Sequence, residues 1–593
     1  MKLPVKTAAV KALLLYVITG GWLSEAIRIK LTICIDRLPL RPLFFIFSVA
    51  YLVLAMNLPV SIYTGAVHDD ALFWGNAYQI VSGNWLGAYN QMTLAKGPGF
   101  PLFLAANAVL GIPITLLIAL LYLFACWLIA NTLRAMGLNK YLVLSIFVVI
   151  LFHPALFPLG IIRDNIYPAL SLIIISGVIR LVFAPQQHDR RLVSIVPYGL
   201  VLGFFWITRE EGIWIVPGLL ILLFLKAFQL KKQNLPIKDI FYRFACFSLA
   251  ATMFVSLIAL INYHEYGKFE AVDFQGKAFS RALKSLNSVD VGSDLPYLPV
   301  SFDKRQKIYK ISPSFSQLKD YFEDKGKGWT SFGCKIYPWT CGDYAGGWFM
   351  WALRDAVASK GYYESPMRAA EFYNNITKEI ETACDIGVIK CRSNPIPFMP
   401  NVTMNQLKEL PGKTVHALKL AMVRLPMPAT GGPSWDPLNQ LQRIRLFLGS
   451  PRTTLAPSEQ AVFKVGEEGT LHVDQILHTN NYPAQDLSLK LKNSLATLYK
   501  FIIPILVILG AFMYFIYLIF TWIGKAPITD IFIVSTMMWC LFFSRILLIV
   551  LVDISSFPAI SILYISAGFP ILCLAAFLSL QLIFGKKIKR LSL

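Results

Sequence analysis

Apolar runs long enough to cross a bilayer recur along this chain, and they restrict its fold more than any other feature. The apolar stretches, several of that length, cover 42–63, 99–133, 141–158, 164–183, 194–208, 212–229, 241–262, 499–522, 527–552 and 558–585. About 20 apolar residues span the hydrocarbon core. Backbone polar groups inside it must be satisfied within the segment itself, so such runs fold as helices. Only 15% of the 593 residues are charged, against about a quarter in soluble domains. The pattern predicts an α-helical polytopic membrane protein with ten or eleven crossings. The count turns on 99–133, where Gly111 and Pro113 predict a break between a half-depth helix and a full one. No short hydrophobic segment precedes a small-residue cleavage site, so the first crossing is expected to act as its own signal.

The net charge of +21 invites a nucleic-acid reading, and its distribution argues against one. Residues 264–499 hold 28 Lys and Arg against 23 Asp and Glu. Most of the excess therefore sits in short loops between apolar runs, where basic residues set orientation. Arg134 and Lys140, the "APQQHDRR" loop, "LKKQNLPIKD" and the terminal "GKKIKR" are assigned to the cytoplasmic side, with 8–28 as an interfacial helix. Residues 1–41 then form a cytoplasmic or interfacial segment and 42–262 a membrane module with an outer loop at 64–98. Residues 263–498 form an extracytoplasmic domain, and 499–593 carry the last membrane helices.

The domain at 263–498 is expected to be mainly helical, because "GGWFMWALRDAVASKGYY" and "SPMRAAEFYNNITKEIETACDIGVIKC" space their apolar residues helically. Around 452–476, "AVFKV" and "TLHVDQIL" are weak strand signals. Four of the nine cysteines fall in this domain, as two pairs seven residues apart. In an oxidising compartment they read as disulfides. Of three connectivities, Cys334–Cys341 with Cys384–Cys391 is favoured. Zinc is the rival reading, but six intervening residues suit a zinc knuckle poorly.

Charge at the mouths of membrane helices needs a reason. "AVHDDALFWGNAYQIVSGNW" follows the first crossing and opens with His68, Asp69 and Asp70. One reading is local: an amphipathic surface helix with Asp69 as N-cap and Asp70 at the positive end of the dipole. The other is chemical, since "LAKGPGFPLFL" brings Lys96 to the same loop, where a cation at a helix start can hold phosphate. "IIRDN" supplies Arg163 and Asp164, and "ITREEG" supplies Arg209, Glu210 and Glu211. Arg545, in "CLFFSRILLIVLVDISSF", either pairs with Asp553 or reaches a phosphate or the acidic loop. His153 in "LFHPALFP" reads as a helix-end residue.

This order resembles the GT-C superfamily of polyprenyl-phosphate-sugar-dependent glycosyltransferases, in particular its protein O-mannosyltransferase and lipid A aminoarabinose transferase branch. The resemblance covers about 42–230 and rests on one crossing, a loop opening with paired acids and an amphipathic helix, then a Lys-x-Pro type helix start. "LVLGFFWITREEGIWIVPG" is similar to the superfamily's later Gly-rich helix, which points to Arg209. "KGPGFP" departs from the double-proline form. The resemblance implies that Asp69 or Asp70 is the catalytic base, with Asp70 slightly favoured because the helix start would hold it rigidly. It implies Lys96 and Arg209 on the carrier phosphate, and His68, Arg163, Glu210 and Arg545 join the same substrate-binding set. No cofactor is assigned, and a divalent ion at the acidic loop is left open.

The implied partners are a polyprenyl-phosphate sugar, a lipid, polysaccharide or protein acceptor, and membrane lipids, with no nucleic acid. The implied place is a bacterial inner (plasma) membrane, with the site facing the periplasm. Two readings compete: an inactive membrane scaffold, and a transporter of lipid-linked substrates. No internal repeat supports the transporter.

Overall fold

The computed structural model describes residues 40–58, 60–62, 68–157, 160–183, 192–292, 295–392, 402–423, 447–449, 453–455 and 483–590. The 8–28 helix, the "APQQHDRR" loop and the "AVFKV" and "TLHVDQIL" signals lie outside the described residues. The chain is a helical membrane protein. Among the described residues, six helical stretches are long and apolar enough to cross a bilayer. Five shorter apolar helices accompany them.

The membrane part begins with α1 (Leu40–Met56), followed by the amphipathic α2 (Asp70–Val81). Next come α3 (Gly99–Leu110), α4 (Ile114–Ala135), α5 (Lys140–Leu151), α6 (Tyr167–Phe183) and α7 (Val196–Thr208). α8 (Val216–Lys232) and α9 (Lys238–Tyr266) complete this half. The break expected within 99–133 is present: Gly111 adopts φ 65° and Pro113 precedes α4. A positive φ costs glycine little, so the chain turns there and restarts as a full-length helix.

The first crossing is shorter than the 42–63 run. α1 ends at Met56, and Val60–Ile62 forms a strand, β1, in parallel register with β2 (Thr453–Leu455). Pro59 lacks the amide a continuing helix needs, and the β-branched residues beyond it suit an extended chain.

The domain carries its own core, built on Phe279, Leu286, Phe315, Phe322, Phe349 and Ile376 among others. Its main helices are α10 (Lys277–Ser288), α11 (Phe302–Ile311), α12 (Thr330–Ile336), α13 (Trp348–Ser359) and α14 (Pro366–Asp385). Cys334 is bridged to Cys341 and Cys384 to Cys391. Each bridge ties a helix end to the loop beyond it.

The next helix, α15 (Met404–Val423), buries Ala417 and Ala421 in the core of the membrane helices instead. Gln406 Nε2 donates to Ile554 O (2.5 Å) and Lys413 pairs with Asp553 at 3.0 Å. The compact domain core therefore spans 272–380, and α15 belongs with the helices that close the chain. These are α16 (Pro483–Trp522), α17 (Asp530–Ser555) and α18 (Gly568–Arg590). At 1.5 Å per residue, α16 is about 60 Å long, twice the hydrocarbon thickness. The expected boundary at 498 thus falls inside one continuous helix.

Position within the bundle follows burial. The stretch Arg163–Phe183 has 89% of its most apolar window buried, while Gly212–Lys232, Lys238–Tyr266 and Leu487–Trp522 have 28% each. α6 is therefore central and the other three face lipid. The charged residues at the start of α6 consequently lie in the middle of the domain-bearing end of the bundle.

Candidate functional site

Eight charged side chains from five places in the chain meet at the domain-bearing end. Lys96 Nζ pairs with Asp69 Oδ1. Arg163 Nη1 donates to Glu210 Oε2 at 2.8 Å. Arg209 faces Asp164 with one nitrogen and Glu211 with another, the latter at 2.6 Å. Arg545 Nη1 reaches Glu211 Oε2 at 3.0 Å, while its Nε and Nη2 donate to Tyr564 O at 3.0 and 2.6 Å. Among the described residues, these four cations and four carboxylates balance in charge. A bound phosphate would therefore have to take a cation from a carboxylate, since none of the four is in surplus.

The pairs differ in how firmly they are held. Asp164, Glu210 and Glu211 expose 8%, 23% and 27% of their side chains, whereas Asp69 exposes 56%. The Arg209 side chain is 1% exposed, and its Nε has no hydrogen-bond partner among the described residues. Aromatic faces line the cluster: Tyr167 and Tyr564 under Arg209, Tyr167 and Trp214 under Arg545, and Phe73 under both Lys96 and Arg163. Such faces offset part of the cost of keeping cations from water.

Titration follows the same geometry. Burial alone would raise the Asp69 carboxyl, but Lys96 and Arg163 outweigh it and hold it below the usual range. Burial would likewise raise Glu211, and Arg209, Arg545 and Arg163 hold it far lower. Burial, helped by Lys96, pushes His68 down to about 4. His68 is thus neutral at pH 7 and brings no charge to an anion. It sits edge-on between Trp329 and Trp351, at ring distances of 4.7 and 4.5 Å.

The structure separates the two aspartates. Asp69 precedes α2, but its side chain makes no capping hydrogen bond and turns to Lys96 instead. Asp70 is 7% exposed, within the first turn of the helix. The pairing expected of Arg545 with Asp553 is replaced. Asp553 accepts from Ala559 N and Ile560 N and pairs with Lys413, which leaves Arg545 to Glu211. His153 is buried against Tyr499 and Phe569, away from the cluster. Among the described residues no group of three or more His, Cys, Asp or Glu is placed to hold a metal ion. His68, Asp69 and Asp70 do not converge as ligands.

Two local features bring Lys96 to this place. A Cβ on Gly97 would fall 1.9 Å from Ile207 O, and one on Gly99 2.4 Å from Thr208 Oγ1. The glycines of "KGPGFP" thus let the loop lie directly on the end of α7, beside Arg209. From the other side, the domain grips the same loop. Arg354, fully buried, donates to Gln91 O at 2.6 Å and pairs with Asp273, whose amide donates to Leu94 O at 2.7 Å. Leu94 is held at φ 59°, a strained setting for a side-chain-bearing residue.

Sequence reasoning missed Trp329, Trp351, Arg354, Asp355 and Tyr564. Trp351, Arg354 and Asp355 share one face of α13 at i, i+3, i+4 spacing. An arginine and an aspartate sharing a face with a tryptophan were the available signal. Comparisons with protein-family models, with curated proteins and with solved structures find no match for this chain.

Proposed function

We propose that this chain is a membrane glycosyltransferase of the GT-C type, acting on a polyprenyl-phosphate-linked sugar. The observation that carries the reading is the Asp69–Lys96 pair. Its carboxylate is the most solvent-open of the four in the cluster, and its lysine pairs with that carboxylate alone among the described residues. When a donor phosphate arrives, Lys96 exchanges Asp69 for a phosphate oxygen. Asp69 loses its pairing with Lys96, the larger of the two charges that depress it, becomes more basic, and accepts the proton of an acceptor hydroxyl.

The acceptor oxygen then forms its bond to the sugar's anomeric carbon. The bond from that carbon to the phosphate oxygen breaks, and the polyprenyl phosphate leaves with the electron pair. Lys96 and Arg209, whose Nε is unengaged, offset the charge that grows on the departing phosphate. Arg163 and Arg545 hold Glu210 and Glu211, and so fix Arg209 in place. Asp70 is assigned to the helix start, with no role in proton transfer. In this reading the site faces the periplasm and the protein sits in a bacterial inner membrane.

The test is chemical. Purified protein in nanodiscs is supplied with a set of polyprenyl-phosphate sugars, and release of polyprenyl phosphate is followed. Release from one donor, dependent on intact Lys96 and Asp69, supports the reading. Saturable binding with no turnover of any donor, or vectorial movement of an intact lipid-linked sugar, would replace it with the scaffold or the transporter.

A further inference from the structure

The cation cluster accounts for one side of Asp69. Beside the Asp69–Lys96 pair stand aromatic rings of the domain: Trp351 lies 5.5 Å from Lys96 Nζ, and Trp329 and Trp351 pack against the domain core with part of each residue exposed. His68 touches both Trp329 and Trp351. Trp329 continues to Phe332 at 5.9 Å between ring centres, and Phe332 to Trp348 at 6.4 Å with nearly parallel planes at 9°. Trp329, Trp348 and Trp351 are partly exposed and Phe332 is 41% exposed. The rings form a continuous path that starts at His68, the residue before Asp69, and at Trp351 beside Lys96, and runs through Trp329 and Phe332 to Trp348.

The wall is rigidly built. Trp329 Nε1 donates to Asp355 Oδ2 at 3.1 Å, and Gln91 Nε2, on the loop that carries Lys96, donates to the other oxygen at 3.5 Å. Phe332 lies on α12, which the Cys334–Cys341 bridge ties down. The surroundings are polar: Lys325, Lys327 and Lys335 are exposed nearby in sequence and form no ion pair among the described residues.

We infer that Trp329 and the rings that follow it bind the acceptor, and that the acceptor is a glycan. This rests on the reading of Asp69 as the base. A sugar ring has one face of C–H groups, which packs on an indole, and a rim of hydroxyls, which needs polar neighbours and must present one to the base. An alkyl chain would use the rings but gain nothing from the carboxylates and lysines around them. Trp329 is then a specificity residue for the acceptor, and the donor phosphate does not touch it.

The test uses the full-length protein in nanodiscs with maltohexaose, chitohexaose and tetragalacturonate as probes. Trp329→Leu keeps apolar bulk and loses the ring face, whereas Trp329→Phe keeps a ring. At least one oligosaccharide should bind wild type, with affinity within about twofold in Trp329→Phe and roughly tenfold weaker in Trp329→Leu, the range expected when an aromatic contact is lost. Binding of a polyprenyl-phosphate donor should be unchanged in both. No oligosaccharide binding, equal binding by Trp329→Leu, or tighter competition by decyl maltoside than by maltohexaose would overturn it. Asp69→Asn separates the two claims: it should abolish transfer and leave oligosaccharide binding intact. Full transfer by Asp69→Asn would sink the base and leave the Trp329 result standing alone.

Discussion

Arg545 Nη1 stands 3.0 Å from Glu211 Oε2, joining the middle of α17 to the loop between α7 and α8. Glu211 is shared, since Arg209 holds its other oxygen at 2.6 Å. One carboxylate is therefore shared by two arginines whose side chains are each 1% exposed, Arg209 having Asp164 as its second partner. Replacing it with Gln takes from Arg545 its carboxylate partner among the described residues and leaves Arg209 with Asp164 alone. Breaking a buried pair costs about 3–5 kcal/mol, and Glu211 is partly exposed, so about 2–3 kcal/mol is expected by the same principle. Denaturant unfolding in detergent measures this. Arg368→Ala, which breaks the exposed Glu364–Arg368 pair, should change stability by less than about 1 kcal/mol.

Lys96→Ala removes the cation that faces both Asp69 and the proposed phosphate. A charge-assisted contact contributes about 1.5–3 kcal/mol, so donor affinity or turnover should fall roughly ten- to a hundredfold. Titration with a non-transferable donor analogue reads the affinity. An unaltered value in a folded variant would remove Lys96 from the site.

Gly97→Ala adds one methyl group where Ile207 O already lies 1.9 Å from the new atom. The loop must move off α7 and take Lys96 with it. Misplacement of about 1 Å can cost roughly a hundredfold in rate, and transfer should fall by that order while the protein still folds. Gly75, on the same loop–helix segment, has nothing within 4 Å of its added Cβ. Gly75→Ala should keep activity and stabilise α2 by about 0.5–1 kcal/mol.

His68 gives the pH dependence a sign. Its folded value is about 4 against 6.5 for a free imidazole. Between those values the unfolded chain holds the proton and the folded one does not, so this group's contribution to stability is present above pH 6.5 and declines as pH falls toward 4. Melting of wild type should drop over that window, and His68→Gln should flatten the drop. An identical slope in both proteins would show that His68 is not buried as described.

Much of this architecture was legible in the residues. Apolar runs about 20 residues long admit only helices in lipid, and Gly111 with Pro113 marked the break before α4. The cysteine spacing pointed to the bridges found. Convergence of Lys96, Arg163 and Arg209 was foreseen because charges at helix mouths on one side have few places to go. Pairing within that set was not legible. Asp553 lies eight residues from Arg545 on the same helix, two turns away, yet Lys413 from a distant helix takes it. The strand at 60–62 was hidden because Val, Ser and Ile are as acceptable to a hydropathy pattern as to an extended chain. The aromatic wall at Trp329 and Trp351 comes from the domain, and its register against the first loop depends on packing between segments some 250 residues apart in sequence.

The central claim is that Asp69, not Asp70, takes the acceptor's proton. Asparagine keeps the shape at either position and caps a helix as well as aspartate does, so the decisive measurement is the transfer rate of Asp69→Asn and Asp70→Asn from a polyprenyl-phosphate sugar under single-turnover conditions. The account predicts a loss of about 10²–10⁴ for Asp69→Asn, with donor-analogue binding retained, and a loss below about tenfold for Asp70→Asn, consistent with a capping-scale effect. Wild-type transfer by Asp69→Asn, in a protein that still binds the donor analogue, would contradict it.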